Sequence, residues 1–476
     1  MVLHDNENLS RETIIEDISG VPMSAMTIFS MSIRYLREHL IKTVTSQTSG
    51  VEETDLRYVL TVPAIWNDNA KQFMREAAVE AGIDDSRLKL CLEPESASVW
   101  CQIISTDAKA TLSKSGTQYM VVDLGGGTAD ISVHEKLIDG SLKELHKASG
   151  GPWGGNAVDN NYFDWLTEIF GKTTMDRFKT EQMADYFDLF REFETKKRNI
   201  SLESEGKITF RVSASLKEIY QEVVGIPLKD NVANMGLSKM VTFIGDKLRI
   251  DASIVINFFE IPVNSMIAHV KEVLSEKEMK HVDTIVLVGG FAESELVHEE
   301  MRKKIQNKRI IFPDEAGLVV LKGAVRFGHI PDIITARVMP FTYGIKVRVP
   351  FDEKKHILSK KKSDNGKDEA TDIFQVNVRA GQEIKLGQEY SSSMELASDI
   401  SKDTSLRVFR SSNKKPKYVT DDDCKLLGQI RISSSEGKNL KDRRITATLV
   451  FGDTELLVKV KILETGKEFT KHIDCL

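Results

Sequence analysis

Residues 119–134, YMVVDLGGGTADISVH, predict a strand, a tight glycine turn and a second strand. The apolar residues 119–122 are typical of a buried strand, and the alternation at residues 131–133 begins the next one. Consecutive glycine N–H groups in such a turn form a concave anion site, because glycine has no side chain to obstruct it. Asp123 and Asp130 flank the turn, and carboxylates beside a phosphate cradle suit a hydrated Mg²⁺. We therefore predict a phosphate-binding hairpin with an adjoining magnesium site.

Other interpretations of the glycine run fit less well. Consecutive glycines are also typical of an ordinary hairpin turn. A P-loop would need G-x-x-x-x-G-K-[ST] before a helix, and no Lys-Ser or Lys-Thr pair follows Gly127. The G-x-G-x-x-G pattern of dinucleotide sites does not occur in this run. Thr128 and the flanking aspartates complete the string D-L-G-G-G-T-x-D, which favours the phosphate site over a plain turn.

The composition limits the class of protein. The chain has 476 residues, of which 41% are hydrophobic and 29% charged, so it can form two or more domains. A net charge of −6 argues against a nucleic-acid partner. No apolar run of about 18 residues predicts a membrane span, and residues 1–20 do not resemble a signal peptide. The four cysteines form no C-x-x-C pair, and a reducing cytoplasm fits them best.

Two segments upstream of the hairpin carry further motifs. Residues 62–72 read VPAIWNDNAKQ and lead into a predicted helix over residues 67–81. Residues 88–97 read LKLCLEPESA, a short strand followed by a helix that begins at the Glu-Pro pair. By itself, the carboxylate of Glu93 would only favour the positive end of that helix dipole. With the hairpin following it, Glu93 becomes a candidate site residue.

In this order, the three segments resemble the actin, sugar-kinase and 70-kDa heat-shock ATPases, and DLGGGTAD is closest to the heat-shock branch. The resemblance implies an α/β fold with a two-lobed, actin-like (ribonuclease H-like) ATPase core, and ATP and Mg²⁺ as cofactors. It implies catalytic roles for Glu93, Asp123 and Thr128, and metal binding by Asp123 and Asp130. The phosphates would then contact the backbone of Gly125, Gly126, Gly127 and Thr128.

A second glycine loop, GGPWGGN at residues 150–156, precedes a predicted helix. It resembles the family's G-G-x-x-x-D stretch, which implies that the backbone of Gly154 and Gly155 approaches the phosphates. Asp159 is a weaker match to the Asp of this stretch, because Asn156 and Ala157 stand where acidic residues are more usual. A glycine loop at a helix N-terminus is a reasonable anion site, but a plain connector fits it equally well.

Two later segments resemble the family's adenosine contacts. Glu194, Lys197 and Arg198 end a charged helix and resemble a clamp in which Glu and Lys bond the ribose and Arg stacks on adenine. The alternative is a solvated basic helix end that complements the helix dipole. Gly289 and Gly290 follow a buried strand and resemble the corner that lies against the base and ribose.

The loop after this second glycine corner departs from the typical pattern. Members with a peptide-binding domain usually carry Ser and Arg where this chain has Phe291 and Glu293, and that Arg helps to hold the base. The string G-G-F-A-E-S, together with GAVRFG at residues 323–328, instead resembles the divergent heat-shock 70-kDa protein 12 branch. The resemblance extends from about residue 26 to the C-terminus.

The order of the motifs predicts a division into domains. We expect residues 1–149 to be the remainder of a first ATPase lobe and residues 150–335 to be the second lobe, with the adenosine motifs. Alternating segments separated by polar loops predict a β-rich region over residues 336–476, without a long helical lid. Within it, residues 354–368 predict a mobile charged loop.

The family's first phosphate hairpin, a D-x-G-T-T-type string, does not occur before Arg57. We therefore expect the chain to be N-terminally truncated, with an incomplete first lobe. The family's catalytic Lys also lies upstream of the matched region. Because the loss of one transition-state donor alone slows a reaction about 10²–10³-fold, we expect weak or absent ATP hydrolysis.

The expected function is that of an ATP-binding, chaperone-like heat-shock protein of the cytoplasm. Its lobes would close on the nucleotide and thereby change a surface for protein clients or adaptors. The alternative is a non-catalytic interaction scaffold on the same fold, which Phe291, Glu293 and the missing hairpin favour. A small-molecule kinase is a third possibility for this fold, but no acidic base facing a sugar pocket is recognisable in the sequence.

Overall fold

The computed structural model describes residues 2–4, 6–17, 19–103, 111–364, 366–395, 404–432, 444–463 and 466–476. Its helices are α1 Ala25–Gln47, α2 Asp68–Glu80, α3 Glu93–Cys101, α4 Gly155–Phe170, α5 Lys172–Glu181, α6 Met183–Lys197, α7 Ala214–Val224, α8 Leu228–Asn234, α9 Ala252–Asn257, α10 Glu260–Ser275, α11 Glu295–Lys304 and α12 Val319–His329. Its strands are β1 Ile14–Glu16, β2 Pro22–Ser24, β3 Tyr58–Val62, β4 Leu88–Leu92, β5 Gln118–Leu124, β6 Ala129–Lys136, β7 Leu142–Gly151, β8 Lys207–Arg211, β9 Val241–Ile244, β10 Lys247–Asp251, β11 Thr284–Val288, β12 Arg309–Ile311, β13 Ile334–Val338, β14 Thr342–Pro350, β15 Lys361–Asp364, β16 Lys367–Val378, β17 Glu383–Lys385, β18 Gln388–Glu395, β19 Thr404–Ser411, β20 Cys424–Ile432, β21 Arg444–Phe451, β22 Leu457–Ile462 and β23 Glu468–His472.

A seven-stranded mixed sheet, in the order β12-β11-β5-β6-β7-β13-β17, forms the core of the α/β part of the chain. Every residue of β11 is buried, and so is every residue of β5 except Gln118. Because both faces of the sheet are covered here, these strands are nearly continuous apolar runs rather than alternating ones. The two strands run parallel with Asp123 opposite Val288, so both glycine corners leave the same edge of the sheet.

A smaller layer comes from the chain before residue 103. Strands β3 and β4 pair in parallel, and α2 is the crossover between them. The Asn67 side chain accepts a hydrogen bond of 2.9 Å from the Ala70 N–H and caps α2, so the predicted helix is confirmed. Helix α3 follows β4 directly, which confirms the predicted helix at the Glu-Pro pair.

Helix α12 packs closely on α3. A Cβ atom at Gly323 would lie 1.7 Å from the carbonyl oxygen of Ser96, so only glycine allows the two helix backbones to approach this far. Because α3 begins with Glu93, this contact helps to fix the position of the Glu93 carboxylate.

An aromatic cluster joins the helices of the predicted second lobe. The Tyr162 ring stacks on Phe193 with 4.0 Å between centroids, and it also contacts Phe210 and Phe258. These four residues belong to or adjoin α4, α6, β8 and α9. The cluster therefore holds the glycine loop before α4 next to the end of α6, where the clamp residues lie.

The C-terminal region is a β-sandwich of two antiparallel sheets, β15-β16-β14-β19-β20 and β18-β21-β22-β23. Their facing sides share one core, which includes Tyr343, Leu449 and Val460. The strands predicted for this region are confirmed, but the prediction of a charged loop over residues 354–368 is partly wrong. Its second half forms the β15–β16 hairpin, in which Lys361 and Asp368 make a 2.8 Å ion pair.

The central sheet crosses both expected domain boundaries. Strands β5 and β6 and most of β7 precede residue 149, yet they share one sheet with β11 and β13. Strand β17 comes from the β-rich region and pairs with β13 as the last strand of the same sheet. We therefore propose that the second lobe starts with β5, and that β17 ties the sandwich to it.

The sandwich also contacts α2. The guanidinium of Arg75 lies 2.5 Å from Glu455 Oε2 and 2.7 Å from Asp85 Oδ1. The Cys475 N–H donates a 2.7 Å hydrogen bond to the Gln72 side chain. The side chains of Arg75 and Glu455 are largely buried, so a desolvated ion pair joins the sandwich to α2.

Gly323→Ala tests the contact between α3 and α12. Alanine normally favours a helix over glycine by about 1 kcal/mol, but here its methyl group would overlap Ser96 O. We expect the free energy of unfolding, measured by urea titration, to fall by about 1–3 kcal/mol. The exposed Val325→Ala on the same helix is the control and should change it by less than about 0.5 kcal/mol. Wild-type stability of Gly323→Ala would contradict this packing.

Candidate functional site

Three carboxylates meet at the edge of the central sheet where β5 ends. Asp123 lies in β5 and Asp130 in β6, and the two are direct cross-strand neighbours. Glu93, the first residue of α3, is close enough for both charges to act on its carboxyl group. Asp123 is 5% and Asp130 1% exposed. The fold thus brings together three side chains that the sequence assigned to the metal and to catalysis.

Burial dominates the electrostatics of this cluster. Burial, followed by repulsion from Asp123 and Asp130, raises the pKa of Glu93 to about 9. Burial, followed by repulsion from Asp130, raises the pKa of Asp123 to about 7. Burial also raises the pKa of Asp130, although a hydrogen bond from the Thr128 side chain opposes the change. At neutral pH the cluster therefore retains protons, which a nearby cation would displace.

Asp130 links the hairpin to the first part of the chain. Its Oδ1 atom accepts a 3.0 Å hydrogen bond from the Ile65 N–H, in the turn that follows β3. The buried Thr128 lies at the other end of the hairpin turn, and its carbonyl oxygen accepts a 3.0 Å hydrogen bond from the Gly125 N–H. The motif VPAIWNDNAKQ and the glycine hairpin therefore meet at one carboxylate.

The carboxylates fit a hydrated Mg²⁺. Within the described ranges, no group of three or more His, Cys, Asp or Glu side chains could hold a metal ion on its own. Mg²⁺ does not require such a group, because it keeps several waters and takes one or two carboxylates with phosphate oxygens. Asp123 and Asp130 repel one another, and a divalent cation beside them would remove that repulsion.

The second glycine loop packs directly on the hairpin. A Cβ atom at Gly154 would lie 2.5 Å from the carbonyl oxygen of Gly126, so the close approach requires glycine. The Gly155 N–H donates to Gly125 O at 3.1 Å, and the Asn156 N–H donates to Gly126 O at 2.7 Å. In this structure the first N–H groups of α4 therefore bond the hairpin, while the hairpin tip at Gly126 is exposed.

The other glycine corner lies beside Asp123. Gly289 has a φ of 91°, a backbone conformation that favours glycine, and a Cβ atom there would lie 2.4 Å from Asp123 Oδ1. Gly290 borders open space, since no described atom beyond its chain neighbours lies within 4 Å of a Cβ placed on it. The buried Phe291 ring stacks on Phe259, with 6.3 Å between centroids.

The three residues predicted to clamp the adenosine lie together, and Glu194 contacts the other two. Lys197 Nζ lies 2.5 Å from Glu194 Oε2 and 2.8 Å from Asp159 Oδ1. Arg198 Nη2 lies 3.2 Å from Glu194 Oε1. Burial acts to raise the pKa of Glu194, but its hydrogen bonds and attraction to Lys197 and Arg198 outweigh burial and lower it. Arg198 also faces Glu293 at 3.6 Å, which connects the clamp to the second glycine corner.

A buried ion pair connects the site to the sandwich. Arg337 donates from Nε to Glu95 Oε1 at 2.6 Å and from Nη2 to Glu95 Oε2 at 2.8 Å, and both side chains are buried. Arg337 Nη1 also donates to the carbonyl oxygen of Gly452, in the sandwich. Glu95 lies on α3, two positions after Glu93. A displacement of α3 would therefore act directly on the sandwich.

Sequence reasoning missed two of these contacts. Asp159 is a weak match to the Asp of the family's G-G-x-x-x-D stretch, but nothing in the sequence indicates its ion pair with Lys197. Arg337 and Glu95 are separated by 242 positions, and nothing local in the sequence marks them as a pair.

Comparison with known proteins identifies the family. The family described as Hsp70 protein matches residues 6–225. Heat shock 70 kDa protein 12A of Mus musculus is 30% identical over 533 residues, and the alignment covers 100% of this chain and 79% of the relative. The chain belongs to the 70-kDa heat-shock protein family. Heat shock 70 kDa protein 12B of Homo sapiens is 29% identical over 540 residues, with the same coverage of both chains.

Membership of the 70-kDa heat-shock protein family confirms the α/β, actin-like ATPase fold and supports a nucleotide-binding, ATPase-like protein. Proteins of this family bind ATP, generally with Mg²⁺. Chaperone protein dnaK of Cyanidium caldarium is 26% identical over 298 residues, covering 60% of this chain and 42% of that protein. The matches to heat shock 70 kDa proteins 12A and 12B extend over this whole chain and support the divergent branch that the second glycine corner predicted. None of the described helices is both long and apolar enough to cross a bilayer.

A pH titration of the protein without nucleotide tests the carboxylate cluster. The folded state raises the pKa of Asp123 to about 7 and that of Glu93 to about 9. Their contribution to the free energy of unfolding is therefore fully present below the unfolded pKa of about 4, and it is lost as the pH rises through the two folded-state values. We expect the free energy of unfolding to fall by about 1–3 kcal/mol between pH 6 and pH 9. Asp123→Asn should reduce that decrease, whereas the exposed Asp164→Asn should not. A wild-type stability that increases over this range would contradict the raised pKa values.

Proposed function

We propose that this chain binds ATP with Mg²⁺ at the carboxylate cluster, and that lobe closure on the nucleotide acts on the β-sandwich. The observation that carries the proposal is the position of the two glycine corners. Strands β5 and β11 run in parallel register with Asp123 opposite Val288, and Gly289 packs against the Asp123 carboxylate. Sites at the carboxyl ends of neighbouring parallel strands are where α/β sheets bind ligands.

Each corner has its own role in this proposal. The exposed tip of the hairpin offers backbone N–H groups to the phosphates. The open space beside Gly290, with Glu194, Lys197 and Arg198 nearby, would take the ribose and base. Asp123 and Asp130 would hold Mg²⁺ through its waters, and the ion would compensate the phosphate charge when bound. Glu93, which retains a proton at neutral pH, would orient water next to the phosphates.

Closure reaches the sandwich through α3. The helix carries Glu93 at the site and Glu95 on the ion pair with Arg337, which in turn bonds Gly452 O. Strand β17 joins the same sheet, so the sandwich is attached to the ATPase core at two places. This attachment supports a chaperone-like switch that exposes or hides a surface for protein clients or adaptors. We also propose the cytoplasm as its location, where the free cysteines of the described residues would stay reduced.

Isothermal titration with ATP tests the proposed function. We expect binding that requires Mg²⁺ and is lost on addition of EDTA. Asp123→Asn should weaken the Mg²⁺-dependent binding about 10–100-fold, since it removes one of two carboxylates that act on the ion. Asp164→Asn, on an exposed face of α4, is the matched control. Absence of any binding heat at millimolar ATP would overturn the proposal.

A non-catalytic scaffold is the second candidate function, and specific contacts favour it. Several groups assigned to the nucleotide already have partners within the protein: Lys197 pairs with Glu194 and Asp159, and the Gly155 N–H bonds Gly125 O. ATP binding without phosphate release above the level of Asp123→Asn would favour the scaffold. Phosphate release that Asp123→Asn abolishes would favour the ATPase.

Arg337→Met tests the connection to the sandwich. Removal of the cation leaves Glu95 buried without a partner, so we expect a loss of about 3–5 kcal/mol in the free energy of unfolding. The double variant Glu95→Gln, Arg337→Met should recover most of that loss, because no buried charge remains unpaired. Arg348→Met, which removes a half-exposed partner of Glu369 in the sandwich, is the control.

The double variant then isolates coupling from stability. In wild type, we expect Mg²⁺ and ATP to change the hydrogen exchange of the turn around Gly452. In Glu95→Gln, Arg337→Met the nucleotide should still bind, but that change should be lost. An unchanged exchange response in the double variant would show that the connection runs elsewhere.

A further inference from the structure

Arg198 and Glu293 contact each other beside the opening at Gly290 that we propose holds the nucleotide base, and we call this opening the base slot. Arg198 follows α6, and Glu293 lies in the loop between β11 and α11. Their atoms Nη1 and Oε2 are 3.6 Å apart. The Gly317 N–H donates a 3.2 Å hydrogen bond to Glu293 Oε1. The carboxylate is therefore held at two points and lies directly in front of the guanidinium.

A second carboxylate engages the same guanidinium. Arg198 donates from Nε to Glu194 Oε1 at 3.3 Å and from Nη2 to the same atom at 3.2 Å. The neighbouring Lys197 is neutralised by Glu194 and Asp159. The positive charges beside the slot are thus already compensated by the protein's own acids.

Open space lies next to this contact. Gly290 has no described atom within 4 Å of a Cβ placed on it, apart from its chain neighbours. A Cβ atom at Gly317 would lie 3.2 Å from Glu293 Oε1 and 3.6 Å from the Cα of Gly290, so the three residues border one opening. A planar base in that opening would gain most from a cation within about 6 Å of its ring.

We propose that Glu293 is a gate that competes with the nucleotide base for Arg198. The base reaches the guanidinium only when the Arg198–Glu293 contact opens, so Glu293 slows association and weakens binding. The inference rests on the nucleotide-binding function proposed above. The Glu293 carboxylate attracts the Arg198 guanidinium, which is the same cation on which the base would stack.

The expected effect is small and depends on salt. The side chains of Arg198 and Glu293 are 55% and 39% exposed, so solvent screens their attraction. Removal of an exposed ion pair changes an equilibrium by about two- to five-fold, and less at high ionic strength.

Stopped-flow binding of a fluorescent ATP analogue with Mg²⁺ tests the gate. We expect Glu293→Gln to bind about two- to five-fold faster and tighter than wild type at low salt, with the difference shrinking at about 0.5 M salt. Glu293→Ala should act in the same direction, which separates loss of charge from any new amide contact. Glu295→Gln, an exposed acid two positions along, is the matched control and should behave as wild type.

Two outcomes would overturn the inference, and only the second would also overturn the proposed nucleotide-binding function. If wild type binds the analogue and both Glu293 variants bind at the wild-type rate and affinity, the gate is wrong while the nucleotide site stands. If wild type does not bind at millimolar nucleotide, the proposed function fails and the gate fails with it.

Discussion

Gly289 lies so close to the Asp123 carboxylate that a Cβ atom would stand 2.4 Å from Oδ1. This approach is possible because Gly289 adopts a φ of 91° at the end of β11, in parallel register with β5. A larger residue would push the two strand ends apart and open the cleft between the corners. The glycine hairpin, the carboxylates and the proposed adenosine side of the site therefore meet at one glycine.

The carboxylates of the cluster are buried and repel one another, and a cation beside them would reduce that repulsion. Asp123 and Asp130 are forced together by strand register, and Glu93 is held near them by the packing of α3 under Gly323. Burial and mutual repulsion keep protons on groups that are ionised in water. A hydrated Mg²⁺ with phosphate would suit such a site, because the ion would compensate the negative charge of the buried acids.

The same packing connects the site to the sandwich. Glu95 is buried on α3, and its only strong compensation among the described contacts is the bidentate guanidinium of Arg337. Because the guanidinium also donates a hydrogen bond to Gly452 O, the ion pair joins α3 to the sandwich, and a movement of α3 would act on it. Buried pairs contribute little net stability, so we interpret this pair as a device for specificity of docking.

The sequence alone determined the hairpin, the Glu-Pro helix start and the second glycine corner, because each is local: glycines, caps and apolar runs act on their own neighbours. It also indicated the family through the order of these motifs. It did not determine that β17 completes the ATPase sheet, that residues 361–364 pair as a strand, or that Arg337 meets Glu95. Nor did it show that Glu293 would face Arg198 and that Lys197 would be neutralised by Asp159. These contacts join residues that are distant in the chain, and only tertiary packing, which fixes burial and register, could decide them.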